Sequence, residues 1–172
     1  MKLRLEKINL SHENEIKRIC KEYEEVKDDY NGAFFLKNII DYKKLVKELE
    51  DSSNGIVANK NYVPGTCFVA LNEENKIVGV GSLRHCLNEN LKKYGGHIGY
   101  SVVPSERKKG YGTEILRLLI EEAKKLGIEK ILVTCAEDNI ASKKVIEKNG
   151  GVLENKINEG NRVTLRFWIE NR

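Results

Sequence analysis

The chain has 172 residues, 40% hydrophobic and 33% charged, a length and balance that predict one domain, 1–172, with a core needing no metal or disulfide staple and no disordered stretch. A net charge of +4 is too small and too dispersed for a nucleic-acid partner, and Cys20, Cys67, Cys86 and Cys135 lack the spacing and histidine partners of a zinc site, so no metal is expected. Charges in Met1-Lys2-Leu3-Arg4-Leu5-Glu6 exclude a signal peptide, and no apolar run is long enough to cross a membrane, which makes the cytoplasm the expected compartment and leaves no membrane partner.

Residues 2–8 alternate Leu3, Leu5 and then Ile8 with charged residues and predict a first strand with one exposed face. Ser11 predicts the N-cap of a helix carrying Ile16, Ile19, Cys20 and Tyr23 at helical spacing. The helix runs into Glu22, Glu24, Glu25, Asp28 and Asp29, read either as a solvated face or as an attractive rim for a cationic amine. The chain turns at Asn31-Gly32. A second helix starts near Asp41, with Leu45, Val46 and Leu49 on one face; residues 51–55 end it, and residues 56–65 read as a loop. Residues 66–71 and 76–83 predict an antiparallel hairpin whose second strand ends in Arg84-His85. A polar stretch, 88–96, leads into a central strand, 97–103, which Pro104 stops.

Next comes Arg107-Lys108-Lys109-Gly110-Tyr111-Gly112, between that strand and a helix predicted over 113–126. Two glycines allow a tight backbone turn close to an anion, the helix directs its positive end to the same place, and three basic side chains add mobile cations. By itself this pattern fits a plain strand-to-helix turn as well as a phosphate site. Ile115, Leu116, Leu119, Ala123 and Leu126 give the helix an apolar stripe, and Gly127 ends it. Residues 128–135 predict a buried strand, joined to the central one by a right-handed parallel crossover. Asn139 caps a helix through about Lys148, residues 149–151 turn the chain, and residues 163–169 predict the last strand.

Strand, Arg107-x-x-Gly110-x-Gly112, amphipathic helix, strand, Asn139-x-x-Ser142 and helix follow one another in the order and spacing of the GCN5-related N-acetyltransferase (GNAT) superfamily, which the chain resembles well from about Thr66 to Ile169 and in outline before that. The resemblance implies an α/β fold with a mixed, mostly antiparallel central sheet flanked by helices and splayed between its fourth and fifth strands, with acetyl-coenzyme A in the gap. It further implies that Val102 and Val103 offer backbone groups to the pantetheine arm, that Arg107, Lys108, Lys109, Gly110, Tyr111, Gly112 and Thr113 hold the pyrophosphate, and that Asn139 and Ser142 flank the coenzyme. The activity it implies is acetyl transfer to the amine of a small molecule or peptide; a homodimer is compatible with it.

That chemistry needs an amine that has lost its proton, an N–H aimed at the developing oxyanion, and help for the departing thiolate. Many members of the superfamily carry a tyrosine seven residues after the asparagine, where this chain has Ile146, and a glutamate where it has His97. His97, with His85 nearby, is the candidate base, against the alternative that each is a hydrogen-bonded strand residue. Tyr100, Tyr111 and Cys135 read as sheet, loop and core residues, so direct transfer stands ahead of a covalent cysteine intermediate. Two other readings are a module that holds acyl-coenzyme A without turnover, and a nucleotide-binding enzyme, although the chain has no Gly-x-x-x-x-Gly-Lys-Ser/Thr pattern.

Overall fold

A computed structural model describes residues 2–172. Strands β1 (Arg4–Lys7), β2 (Gly65–Leu71), β3 (Ile77–Arg84) and β4 (Ile98–Val102) pair antiparallel in the order β1-β2-β3-β4. A second antiparallel sheet, ordered β5-β7-β6, is built from β5 (Lys130–Ala136), β6 (Val152–Asn158) and β7 (Val163–Glu170). Helices α1 (Glu13–Glu25), α2 (Tyr42–Ser53), α3 (Tyr111–Lys125) and α4 (Ile140–Lys148) occupy the connections. None of the described helices is long and apolar enough to cross a membrane.

Helices α2 and α4 start on side-chain caps, Asp41 and Asn139. Asp41 accepts from the Lys44 N–H at 3.0 Å and starts α2 where the sequence places it. The first helix differs. Asn9, not Ser11, opens a short 3₁₀ turn over Leu10–His12 with a reciprocal capping box to His12, and α1 follows from Glu13. β6 is the strand that sequence patterning omits: nearly all of its residues are exposed, and an irregularity between Leu153 and Asn155 breaks its alternation.

The pleat sorts β4 into two faces. Ser101 accepts a hydrogen bond from the Tyr23 hydroxyl of α1 at 2.7 Å, whereas the Tyr100 hydroxyl meets Ser142 Oγ of α4 at 2.9 Å. One core cluster accordingly joins α3 to both sheets through Ile115, Leu119, Ile131 and Phe167, and a second joins α1 and the residues before α2 to the first sheet through Ile16, Tyr23, Val69 and Val80. The close seat of α3 depends on Gly79 and Gly81, where a Cβ would lie 2.5 Å from Ile115 Cδ1 and 2.6 Å from Leu119 Cδ1.

Among the described residues no ladder joins β4 to β5. Among the described residues their backbones meet at an isolated bridge between Gly96 and Val133, beside which the His97 N–H donates to the Leu132 carbonyl at 2.7 Å. The Leu132 N–H returns a bond to His97 Nδ1 at 3.0 Å. Beyond this seam the two strands diverge, so the crossover through α3 ends in a gap between the fourth and fifth strands instead of a parallel ladder.

The segment between α1 and α2 lies directly on β4. Lys27, Tyr30 and Gly32 all have positive φ, and a Cβ on Gly32 would sit 2.0 Å from the Tyr100 carbonyl oxygen. Gly32→Ala therefore adds a backbone clash to left-handed strain. Gly55, with φ +89° and nothing within 4 Å of an added Cβ, isolates the strain alone. Gly55→Ala is expected to cost about 1 kcal/mol and Gly32→Ala clearly more, read from urea unfolding midpoints; equal losses would mean that the segment does not hold its seat on β4.

Candidate active site

Two features meet at the gap. The first is the loop entering α3. Lys108 (φ 64°) and Gly110 (φ 84°) are left-handed, a combination that gathers backbone N–H groups into an anion-binding concavity. No side chain caps α3, so the N–H groups of its first turn, from Tyr111, Gly112 and Thr113, are open to a ligand. The basic side chains are placed unequally. Arg107 donates from Nη2 to Asp28 at 2.7 Å and from Nε to the Val102 carbonyl at 3.2 Å, which ties the α1–α2 segment to the end of β4. Lys109 and Lys76 share the buried carboxylate of Glu106, which their hydrogen bonds hold below the usual carboxylate range. Lys108 makes no ion pair among the described residues.

The second feature is a cleft of ≈ 560 Å³ running from the gap to the opposite face, with Phe35, Arg84, Gly99, Tyr100, Cys135 and Ser142 in its wall. Asn139 caps α4 by accepting from the Ser142 N–H at 3.0 Å, and both line the cleft. The Tyr100–Ser142 hydroxyl pair bridges the two sides of the gap; burial pushes the phenol up to about 12, against a smaller lowering by Ser142. Cys135, at the same place, is pushed up to about 11, again first by burial. On β4, the Arg84 N–H bonds the His97 carbonyl and the Val103 N–H bonds the Val78 carbonyl, so by alternation the backbone groups of Ile98, Tyr100 and Val102 point away from β3, into the gap.

Several expected site residues are already engaged within the fold. Val103 is fully buried, its N–H on Val78 and its carbonyl on the Glu106 N–H, so both its backbone groups are occupied. His97 is 7% exposed, and burial, followed by the Arg84 charge, lowers its pKa to about 4. Because Nδ1 accepts from Leu132, the neutral ring carries its proton on Nε2, and a proton arriving at Nδ1 would break the seam. His85 meets Thr66 Oγ1 through Nε2 at 2.9 Å, and burial, then Lys7, lowers its pKa. Ile146 is fully buried in the core. Of the acidic cluster, Asp28 binds Arg107 and Glu22 binds Arg18 and the Ser105 N–H.

Sequence reading gives no sign that Gly32, Phe35, Arg84 and the β6–β7 residues Glu159 and Arg162 share one wall, because they come from segments far apart in the chain. Arg84 stands out beforehand as the end of a strand and Gly32 as part of a turn, but neither is tied to the other by any local pattern.

His97→Leu strands the Leu132 N–H and is expected to cost about 1–3 kcal/mol, whereas the amide oxygen of His97→Asn can replace Nδ1. The folded pKa lies below the ordinary 6.5, so the unfolded chain binds the extra proton between pH 6.5 and about 4, and the stability associated with neutral His97 is lost as pH falls through that window. Thermal melts across it should show a steeper decline for the wild type than for His97→Asn; parallel curves would exclude His97 as the titrating seam.

A family model described as an acetyltransferase (GNAT) domain matches residues 2–152. The chain is 30% identical over 117 residues to an uncharacterized N-acetyltransferase, YjdG, of Bacillus subtilis (strain 168), a match covering 66% of this chain and 56% of that protein. Among solved structures, RimL, a ribosomal L7/L12 alpha-N-protein acetyltransferase in complex with coenzyme A, superposes with TM-score 0.70 at 17% identity, covering 99% of this chain and 96% of that one. The structure of yncA from Salmonella typhimurium with its cofactor acetyl-CoA gives TM-score 0.66 at 14% identity over 99% and 94% of the two chains. At these identities the structural likenesses establish the fold.

Proposed function

Because the chain belongs to the GNAT acetyltransferase domain family, we propose that it moves an acetyl group from acetyl-coenzyme A to the primary amine of a small molecule or peptide, by direct attack of the amine on the thioester. The observation that carries this reading is the coincidence of an uncapped helix N-terminus with a gap between two strands that opens into a cleft on the opposite face. A diphosphate fits the first and a narrow acyl-bearing arm the second.

In this reading the N–H groups at the start of α3 and the free Lys108 receive the pyrophosphate, while Arg107 acts by positioning the loop. Asn139 and Ser142 line the side of the arm. An outward N–H of β4 at Ile98 or Tyr100 faces the carbonyl oxygen and stabilises the charge that develops there. The Tyr100 hydroxyl, aligned by Ser142, lies beside the leaving sulfur. With its pKa near 12, against about 8.5 for a thiol, Tyr100 is too weak an acid to surrender its proton fully, so it stabilises the thiolate by a hydrogen bond. His97 holds the seam, and the amine passes its proton to water in the open cleft. Cys135, buried and with its thiol pKa raised, is a poor nucleophile, which supports direct transfer.

The engaged Nδ1 of His97 favours one second reading, a module that binds acyl-coenzyme A without turnover. Thiol release from acetyl-coenzyme A over a panel of amines separates the two: amine-dependent release is expected, and coenzyme binding with no release for any amine would favour the module. Tyr100→Phe should lower kcat by about tenfold or more with unchanged coenzyme A affinity.

The loop has its own test. A Cβ on Gly112 would meet Val102, Val145 and Tyr100 side chains at ordinary distances of 3.5–3.8 Å, so Gly112→Ala should fold, whereas Gly112→Asp adds bulk and negative charge to the anion site. Calorimetry should find coenzyme A binding lost in folded Gly112→Asp; wild-type affinity there would remove the loop from the site.

A further inference from the structure

Arg84 is a cation without an anion. It lines the cleft, and burial pushes its pKa below the ordinary guanidinium value, although a guanidinium stays charged wherever the protein is folded. No carboxylate of the described residues lies within ion-pair distance of it, in contrast to Arg18, Arg107, Arg117 and Arg166, each of which has one. Its Nη1 donates to the Gly95 and Gly96 carbonyls at 3.2 and 3.1 Å, which fixes the plane of the fork. Nε and Nη2 have no protein partner among the described residues. Since no buried side-chain nitrogen among the described residues lacks a partner, these two donors reach open space, and the space beside them is the cleft.

The surroundings leave that charge uncompensated. His97 and Cys67, the groups whose pKa values register the Arg84 charge, are both neutral at physiological pH, at about 4 and about 12. The acids at the cleft, Asp138 and Glu159, are exposed on its rim, Glu159 already accepting from Thr164 Oγ1 at 2.7 Å. Arg84 follows Ser82 on the face of β3 that looks toward the α1–α2 segment, and its N–H bonds the His97 carbonyl. It therefore lies one pleat, about 7 Å along the strand, from Gly99. A half-buried, oriented guanidinium with two free donors is poorly placed for a second cation and well placed for a carboxylate.

Resting on the acetyl-transfer reading above, we propose that Arg84 selects the acceptor: it receives a carboxylate carried by the amine, so that this chain acetylates a carboxylate-bearing amine of the amino acid or short-peptide class in preference to a polyamine. Recognition and turnover are measured apart. Calorimetry on the coenzyme A-loaded wild type compares L-amino acids with their methyl esters and with spermidine. The free acids should bind about tenfold or more tighter than matched esters, and spermidine more weakly still. Arg84→Met should erase the acid-over-ester preference with coenzyme A affinity unchanged, and Arg84→Lys should restore part of it.

Equal binding of acid and ester, tighter binding of spermidine, or a preference that survives in coenzyme-competent Arg84→Met overturns the proposal. Should the variants fail to fold, the wild-type acid-to-ester comparison decides alone, because a purely structural Arg84 would not distinguish the pair. Selective binding of acids without thiol release would leave Arg84's recognition standing and remove the acetyl-transfer reading instead.

Discussion

The geometry of the site depends on the pair of hydrogen bonds between His97 and Leu132. They fasten β4 to β5 at one end, and among the described residues no backbone ladder joins the strands beyond it, so the same contact that unites the sheets determines where they part. A histidine suits the position because its ring supplies an acceptor where the backbone ladder fails, and because burial keeps that ring neutral. The cost is chemical: a side chain that secures the seam through its basic nitrogen has none to offer a substrate. Positioning and the backbone dipoles of β4 then carry more of the proposed chemistry than acid–base groups do.

Features written in local sequence were legible. Pattern and caps located β1 to β4, the Asp41 start of α2, the apolar stripe of α3 and the glycine turn before it, because each depends on residues within a turn or a pleat of one another. The identity of the cap before α1 was less so, since Asn9 and Ser11 are both competent and only Asn9 completes a reciprocal box with His12. β6 was missed because burial, the source of alternation, scarcely reaches it. The task of His97 was hidden because its partner lies 35 residues on, and that of Arg84 because its significance is a missing partner, which no pattern in the chain displays.

Charge is distributed unevenly between the two sides of the gap. On the α3 side, basic residues surround an uncapped helix start, Lys109 neutralising a buried glutamate and Lys108 making no ion pair among the described residues. On the α1–α2 side Glu22 and Asp28 of the acidic run are spent on structural partners, and the cation in the cleft wall is the half-buried Arg84. The two sides communicate through the Asp28–Arg107 pair, which belongs to both.

The wall over β4 is also unusually free of slack. Asp28 accepts from the Tyr30 N–H, the Tyr30 hydroxyl donates to the Cys20 carbonyl, its ring stacks on Tyr23 at 4.9 Å, and Gly32 rests on the Tyr100 backbone. These restraints are satisfied before any acceptor arrives, so the conformational entropy of this wall is surrendered during folding instead of during binding. An acceptor that matches its shape meets a preorganised surface and loses little affinity to ordering it, whereas one that does not match cannot recover by remodelling it.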